Sequence, residues 1–155
     1  MIKEPPSTDI IRVTPDFHIT INPTSSFSME GFEERINTLW VEESQKRPLF
    51  DGNILGFIEG DESVIHGEFI PYRAYVAQLL DPTLEIHLQI CPMAVSGIVI
   101  VNDTVLIARR ATTTTQYPGY YELIPSGSIT PSCCTNDDAD FRQQIIEELF
   151  EETGL

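Results

Sequence analysis

The sequence predicts an α/β fold, with an N-terminal α+β region followed by a mixed sheet that carries one acidic helix. Three observations predict it. Short runs rich in Val, Ile, Thr and aromatic residues, bounded by Asn, Asp, Gly and Pro, recur along the chain and read as strands. Segments with apolar residues at helical spacing lie between them. The final run places Phe141, Ile145, Ile146, Leu149 and Phe150 on one half of a helix at 100° per residue.

In chain order, Ile10-Ile11-Arg12-Val13 and Phe17-His18-Ile19-Thr20-Ile21 are expected as short strands on either side of Thr14-Pro15-Asp16. A helix is expected from about Gly31 to Gln45, with Phe32, Ile36, Leu39 and Trp40 on one side. Pro48 and Asp51-Gly52 break the chain before strands at 54–58 and 64–70, split by Glu59-Gly60-Asp61. Residues 72–80 form the next helix, which Pro82 ends. Residues 1–90 are thus expected as an accessory region and 91–155 as a second unit. In that unit, 94–101 and 104–110 read as a hairpin turning at Asn102-Asp103. Threonine-rich residues 112–115 read as a loop.

Composition limits the function. At 155 residues with 41% hydrophobic content, the chain is long enough to bury a core. Its net charge of −15 argues against nucleic acid and anionic membranes as partners. No signal peptide is expected from the opening Met1-Ile2-Lys3-Glu4-Pro5-Pro6, and the longest apolar stretch, Met93 to Val101, is too short to span a bilayer. Three cysteines (Cys91, Cys133 and Cys134) without framework spacing fit a reducing compartment, so a cytoplasmic location is expected. No second pair and no nearby His makes a zinc site of Cys133-Cys134.

The acidic helix carries the chemistry. Glu147, Glu148, Glu151 and Glu152 crowd its last two turns, with no Lys or Arg among or after them. Glu147/Glu151 and Glu148/Glu152 are like charges at i,i+4, and carboxylates at this end oppose the macrodipole, at roughly 0.3–1 kcal/mol each. A hard divalent cation held by carboxylate oxygens would offset that cost. A solvated acidic face is the plain alternative.

The order Glu148-Leu149-Phe150-Glu151-Glu152-Thr153-Gly154-Leu155 resembles the second half of the Nudix hydrolase signature, G-x5-E-x7-R-E-U-x-E-E-x-G-U, where U is a bulky aliphatic residue. Residues 121–129 resemble the strand and Gly turn that precede that helix. The resemblance implies a partial Nudix α/β/α sandwich. It implies Mg²⁺, or Mn²⁺, held by Glu148, Glu151 and Glu152, which would also be the catalytic residues. It implies a nucleoside diphosphate substrate, with Arg109, Arg110 and Gly127 as the expected substrate-binding residues. The helix bearing Trp40, the Pro48-Leu49-Phe50-Asp51-Gly52 break and Tyr72-Arg73-x-Tyr75 resemble the UDP-sugar pyrophosphatase branch, whose products are UMP and a sugar 1-phosphate.

The chain departs from the signature in three places. Gly127 and Glu148 are 21 positions apart where the signature has 15, a surplus of six. No glutamate lies between Gly127 and Glu147, and Glu147 stands where the signature has Arg. Arg142 with Asp137, Asp138 or Asp140 is expected to brace the loop in their place. These departures also suit a catalytically decayed Nudix-fold module that binds nucleotide without turnover. The Nudix fold has further strands and a helix after the signature, so the sequence is expected to be a fragment of a longer protein. His18, His66 and His87 are expected to be structural. Tyr72, Arg73 and Tyr75 are candidates to contact the substrate's base or sugar, but core packing, with Arg73 in an ion pair, is the expected role.

Overall fold

The computed structural model describes residues 10–154; the opening Met1–Pro6 and the motif's final Leu155 lie outside that range. The α/β class holds. Three strands and three helices make up the first half: β1 (His18–Ile21), α1 (Glu33–Lys46), β2 (Asn53–Gly60), β3 (Val64–Pro71), α2 (Tyr72–Leu80) and the single-turn α3 (Glu85–Leu88); β4 (Ala94–Ser96) begins the second. Then follow β5 (Ile100–Val101), β6 (Thr104–Val105), β7 (Ile107–Arg109), β8 (Tyr121–Leu123), β9 (Ser126–Ser128), β10 (Cys134–Thr135), β11 (Asp138–Ala139) and α4 (Phe141–Thr153).

The main sheet is mixed, in the order β10-β11-β1-β3-β2. β1 runs parallel to β3, with Ile19 opposite Ile65, and antiparallel to β11, with Ile19 opposite Ala139. β2 and β3 form an antiparallel hairpin whose turn is set by Asp61: its Oδ1 accepts from Ser63 N (2.8 Å), Ser63 Oγ (2.6 Å) and Val64 N (3.1 Å). Those bonds, the Ser63 hydroxyl first, hold the Asp61 carboxyl down at about 2.

Alternation along β2 sends side chains to two cores. Ile54 joins Ile36 and Leu39 of α1, Ala74 and Ala77 of α2, and Ile70. Leu55 joins Ile19, Val95, Ile129, Cys133 and Ala139, against which Phe141 and Ile145 of α4 pack. Helices therefore lie on both faces of the sheet. The second core draws on both sides of residue 90: Leu55 N donates to Ile129 O, and Met93 N to Leu55 O.

Several expectations change. Residues 10–13 form no strand, and Ile10 and Ile11 are exposed. The turn at Asn102-Asp103 is present, with both residues at positive φ (48° and 62°), but the hairpin around it is short. The expected strand 94–101 is interrupted at 97–99; β4 pairs with β9, and β7 with β8. Gly127 sits within β9, opposite Val95, and not in a turn.

The surplus residues before α4 have a structure of their own. Pro131–Cys133 make a 3₁₀ turn, and β10 and β11 form a hairpin around Asn136 (φ 56°) that extends the sheet beyond β1. Arg142 does not brace this segment. Its guanidinium lies over the Phe141 ring at 4.5 Å, and it makes no ion pair among the described residues. Asp140 instead caps α4, accepting from Arg142 N and Gln143 N. Gly154, at φ 74°, closes the other end in the left-handed conformation that favours glycine.

Large apolar side chains stay exposed on the second half: Ile98 between β4 and β5, Ile100, Ile107 and Tyr121 on the strands, Ile146 and Phe150 on α4. No helix among the described residues is long and apolar enough to cross a membrane.

Candidate functional site

The end of α4 meets β9 and the β7–β8 pair around a cavity of about 420 Å³ lined by Arg109, Arg110, Thr114, Glu122, Ser126 and Glu152, among others. α4 lies against β4 and β9, which carries its acidic edge to this place. Of the expected residues, Arg109, Arg110 and Glu152 line the cavity. Glu148 and Gly127 touch each other at its side: a Cβ added at Gly127 would overlap the Glu148 carboxylate. Glycine is needed here for close approach, in a strand, and not for turn geometry.

Glu148 is half-buried and held by Gln144, whose Nε2 donates to Glu148 Oε1 at 2.8 Å. Burial pushes its carboxyl above the usual range, and the charges of Glu151, Glu152 and Glu147 push the same way. Glu152 is also raised, by burial first and by the Glu122 charge; the Ser126 backbone amide and Arg110 pull against that rise. Glu151 is exposed and makes no hydrogen bond or ion pair among the described residues. Glu147 turns to the loop, accepting from Ser132 Oγ at 2.8 Å and Gln143 Nε2 at 3.2 Å.

The arginines are fixed by neighbours. Arg110 pairs with Glu122 and donates from Nε to Gln116 O at 3.0 Å. Arg109 Nε donates to Gly119 O at 3.0 Å. Arg73 pairs with Asp51 at 3.3 Å, and Tyr72 stacks edge-on to Trp40. His87 stacks on Phe32, and His66 bonds Thr20.

The fit to a divalent cation is one of donor chemistry. Hard carboxylate oxygens are present, and a cation would favour the charged form of Glu148, which burial first and then the neighbouring carboxylates disfavour. Among the described residues no three His, Cys, Asp or Glu side chains group closely enough to enclose a metal ion. Mg²⁺ does not require such a cage, since one or two carboxylates, waters and substrate phosphates complete its shell.

Sequence reasoning missed Gln144 and Glu122. Gln144 is 3% exposed on the helix's buried side and ties α4 to the loop, its Oε1 accepting from Thr130 N and Oγ1 at 3.1 Å each. Its position four residues before Glu148 was the available signal. Glu122 carries no local signal; only the β7–β8 pairing brings it to Arg110.

The sequence matches no protein-family model, and no curated protein matches it.

Proposed function

We propose that this chain carries the catalytic helix of a metal-dependent diphosphate hydrolase of the Nudix type. The substrate is a nucleoside diphosphate linked to another moiety, and UDP-sugar, cleaved to UMP and sugar 1-phosphate, is the preferred class. The observation that supports the reading most is the meeting of Glu152 with Arg109 and Arg110 around one cavity, with Glu148 packed against Gly127 beside it. The resemblance to the Nudix signature implies that these are its metal- and substrate-binding residues.

In this reading Glu148, Glu151 and Glu152 would hold Mg²⁺ or Mn²⁺, which would supply charge neutralisation at the phosphoryl group and an activated water. Gln144 fixes the Glu148 carboxylate. Arg109 and Arg110, already oriented by Gly119 O, Gln116 O and Glu122, receive phosphate oxygens in their forks. A substrate with about two negative charges suits a chain of net charge −15 better than a triphosphate does.

One observation favours a second reading. The three expected ligands do not group, which suits a module that binds nucleotide without turnover. The deciding experiment is a panel of nucleotide sugars, ADP-ribose, dinucleoside polyphosphates and nucleoside triphosphates, incubated with Mg²⁺ and read by chromatography. UMP and sugar 1-phosphate as the fastest-formed products support the hydrolase. Fastest turnover of a triphosphate, or release of UDP and free sugar, defeats the UDP-sugar assignment. Nucleotide binding with no product establishes the module.

A further inference from the structure

A second cavity, of about 490 Å³, adjoins the first and shares Arg110 and Thr114 with it. Its lining includes Lys46, Arg47 and Arg110 and no Asp or Glu. The whole chain has nine Lys and Arg against 24 Asp and Glu. Three cations around one hollow is therefore a concentration that average composition does not produce.

The two arginines are held by neighbours. Arg47 pairs with the buried Glu43 behind it and donates to Thr113 O at 2.8 Å. Its Nε is buried and has no hydrogen-bond partner among the described residues, a donor whose orphaning costs about 1–3 kcal/mol. Lys46, bonded to Glu43 at 2.9 Å, stays largely exposed at the mouth. Glu43 and Glu122 offset two of the three positive charges, which leaves about one in excess. Tyr72 and Tyr75 also line it, with ring centroids 6.4 Å apart and the Tyr75 hydroxyl tied to Gln116.

We infer that this cavity binds a phosphate monoester carried on a ring, with the phosphate among Lys46, Arg47 and Arg110 and the ring along Tyr72 and Tyr75. Three phosphate oxygens match three cationic donor groups, where a carboxylate offers two. The volume lies within the range of small-molecule sites and exceeds what inorganic phosphate fills. Tyrosine faces accept a flat or puckered ring. The inference needs no metal and no hydrolysis, so it stands or falls apart from the proposed activity.

Calorimetric titration in EDTA at low salt tests it, with UMP and glucose 1-phosphate as probes and uridine and glucose as their uncharged parents. At least one monoester is expected to bind tenfold or more tightly than its parent, and the arm that binds identifies the ring. Lys46→Glu should weaken that binding at least tenfold, and Lys46→Arg should hold it within threefold. Glu148→Gln, beside the neighbouring cavity, should leave it within twofold. Lys46→Gln serves as the neutral replacement if circular dichroism shows the Glu variant misfolded. Equal affinity for monoester and parent, or unchanged affinity in a folded Lys46→Glu or Lys46→Gln variant, overturns the proposal. Binding that appears only with Mg²⁺ and vanishes in Glu148→Gln overturns it too, because the anion then sits in the other cavity.

Discussion

Replacing Glu148 with Gln separates a metal ligand from a structural carboxylate. Gln keeps the size of the side chain and an oxygen to accept from Gln144 Nε2, now 2.8 Å from Glu148 Oε1. It removes one charge from a helix edge where Glu151 and Glu152 stand three and four residues on. Like pairs at these spacings cost about 0.2–0.5 kcal/mol each, so the variant gains roughly 0.4–1 kcal/mol. For a chain of this size that is about 1–4 °C in melting temperature, less whatever charge assistance the Gln144 bond loses. The metal-free variant should therefore melt with the wild type or a few degrees above it. Added Mg²⁺ reverses the order. At ten times its dissociation constant, a ligand that binds only the folded state adds about 1.4 kcal/mol, or roughly 3–6 °C, to the wild type and little to the variant. Differential scanning fluorimetry in EDTA and then in Mg²⁺ reads both. A variant that melts well below the wild type in EDTA, with the same Mg²⁺ response, would refute the metal-ligand reading.

Other expectations are open to direct measurement. Gly127→Ala should fold but drive the Glu148 carboxylate off Gln144; nuclear magnetic resonance of the Gln144 side-chain amide should show that bond lost, with a fall in Mg²⁺ response. Glu68→Gln should cost about 2–4 kcal/mol in urea unfolding, because the buried carboxylate accepts from Ser25 Oγ (2.6 Å), Ser26 N (2.5 Å), Ser26 Oγ (2.9 Å) and Phe27 N (3.0 Å). Burial raises the Glu68 carboxyl and these donors more than reverse it, so its folded pKa lies below the ordinary 4.5. Its contribution is then fully present above pH 4.5 and fades as pH falls through the folded value; unfolding curves of the Gln variant should lack that acid-side loss. At pH 8, maleimide should label Cys91 alone, as read by mass spectrometry. Cys91 is exposed, burial raises the Cys133 thiol, and burial with the Cys133 neighbour raises Cys134 to about 12. Rapid labelling of three thiols in native protein would contradict the packing of the 131–135 segment.

Local signals reveal elements whose partners are near in sequence. Ile36 and Leu39 mark the buried side of α1 by their spacing, and Pro82 follows the end of α2 as it should. Asn102-Asp103 gives its turn because both residues tolerate positive φ. The β10–β11 hairpin was not legible. Its two-residue strands have no alternation to read, and they exist because β1, more than a hundred residues earlier, offers an open edge to Asp138 and Ala139. The same reason hides the site's second layer. Glutamates 148, 151 and 152 are visible as a run, whereas Glu122 and Lys46 gain meaning only from strands and a helix folded beside them. Ile10-Ile11 fail in the opposite direction: apolar, β-branched residues read as a strand, yet no described segment pairs with them.

An acidic chain that receives an anion must work on two length scales. At physiological ionic strength the screening length is about 8 Å, so the excess of carboxylates is felt over the whole surface only at low salt. Inside that length, individual cations decide. Four of the nine Lys and Arg (Lys46, Arg47, Arg109 and Arg110) line the two adjoining cavities. The three arginines among them are already fixed by backbone carbonyls or carboxylates. A fixed guanidinium loses little side-chain entropy when a ligand arrives. The same carboxylates that fix Arg47 and Arg110 also blunt their charge, which favours a ligand with one or two negative charges over a polyphosphate. On the neighbouring edge, burial raises the Glu148 carboxyl first, and the Glu152 charge is among those that add to it. In the proposed reading, groups that would receive an anion and groups that would receive a cation meet at Arg110 and Glu152 in one cavity, where a metal-bridged phosphate would bind.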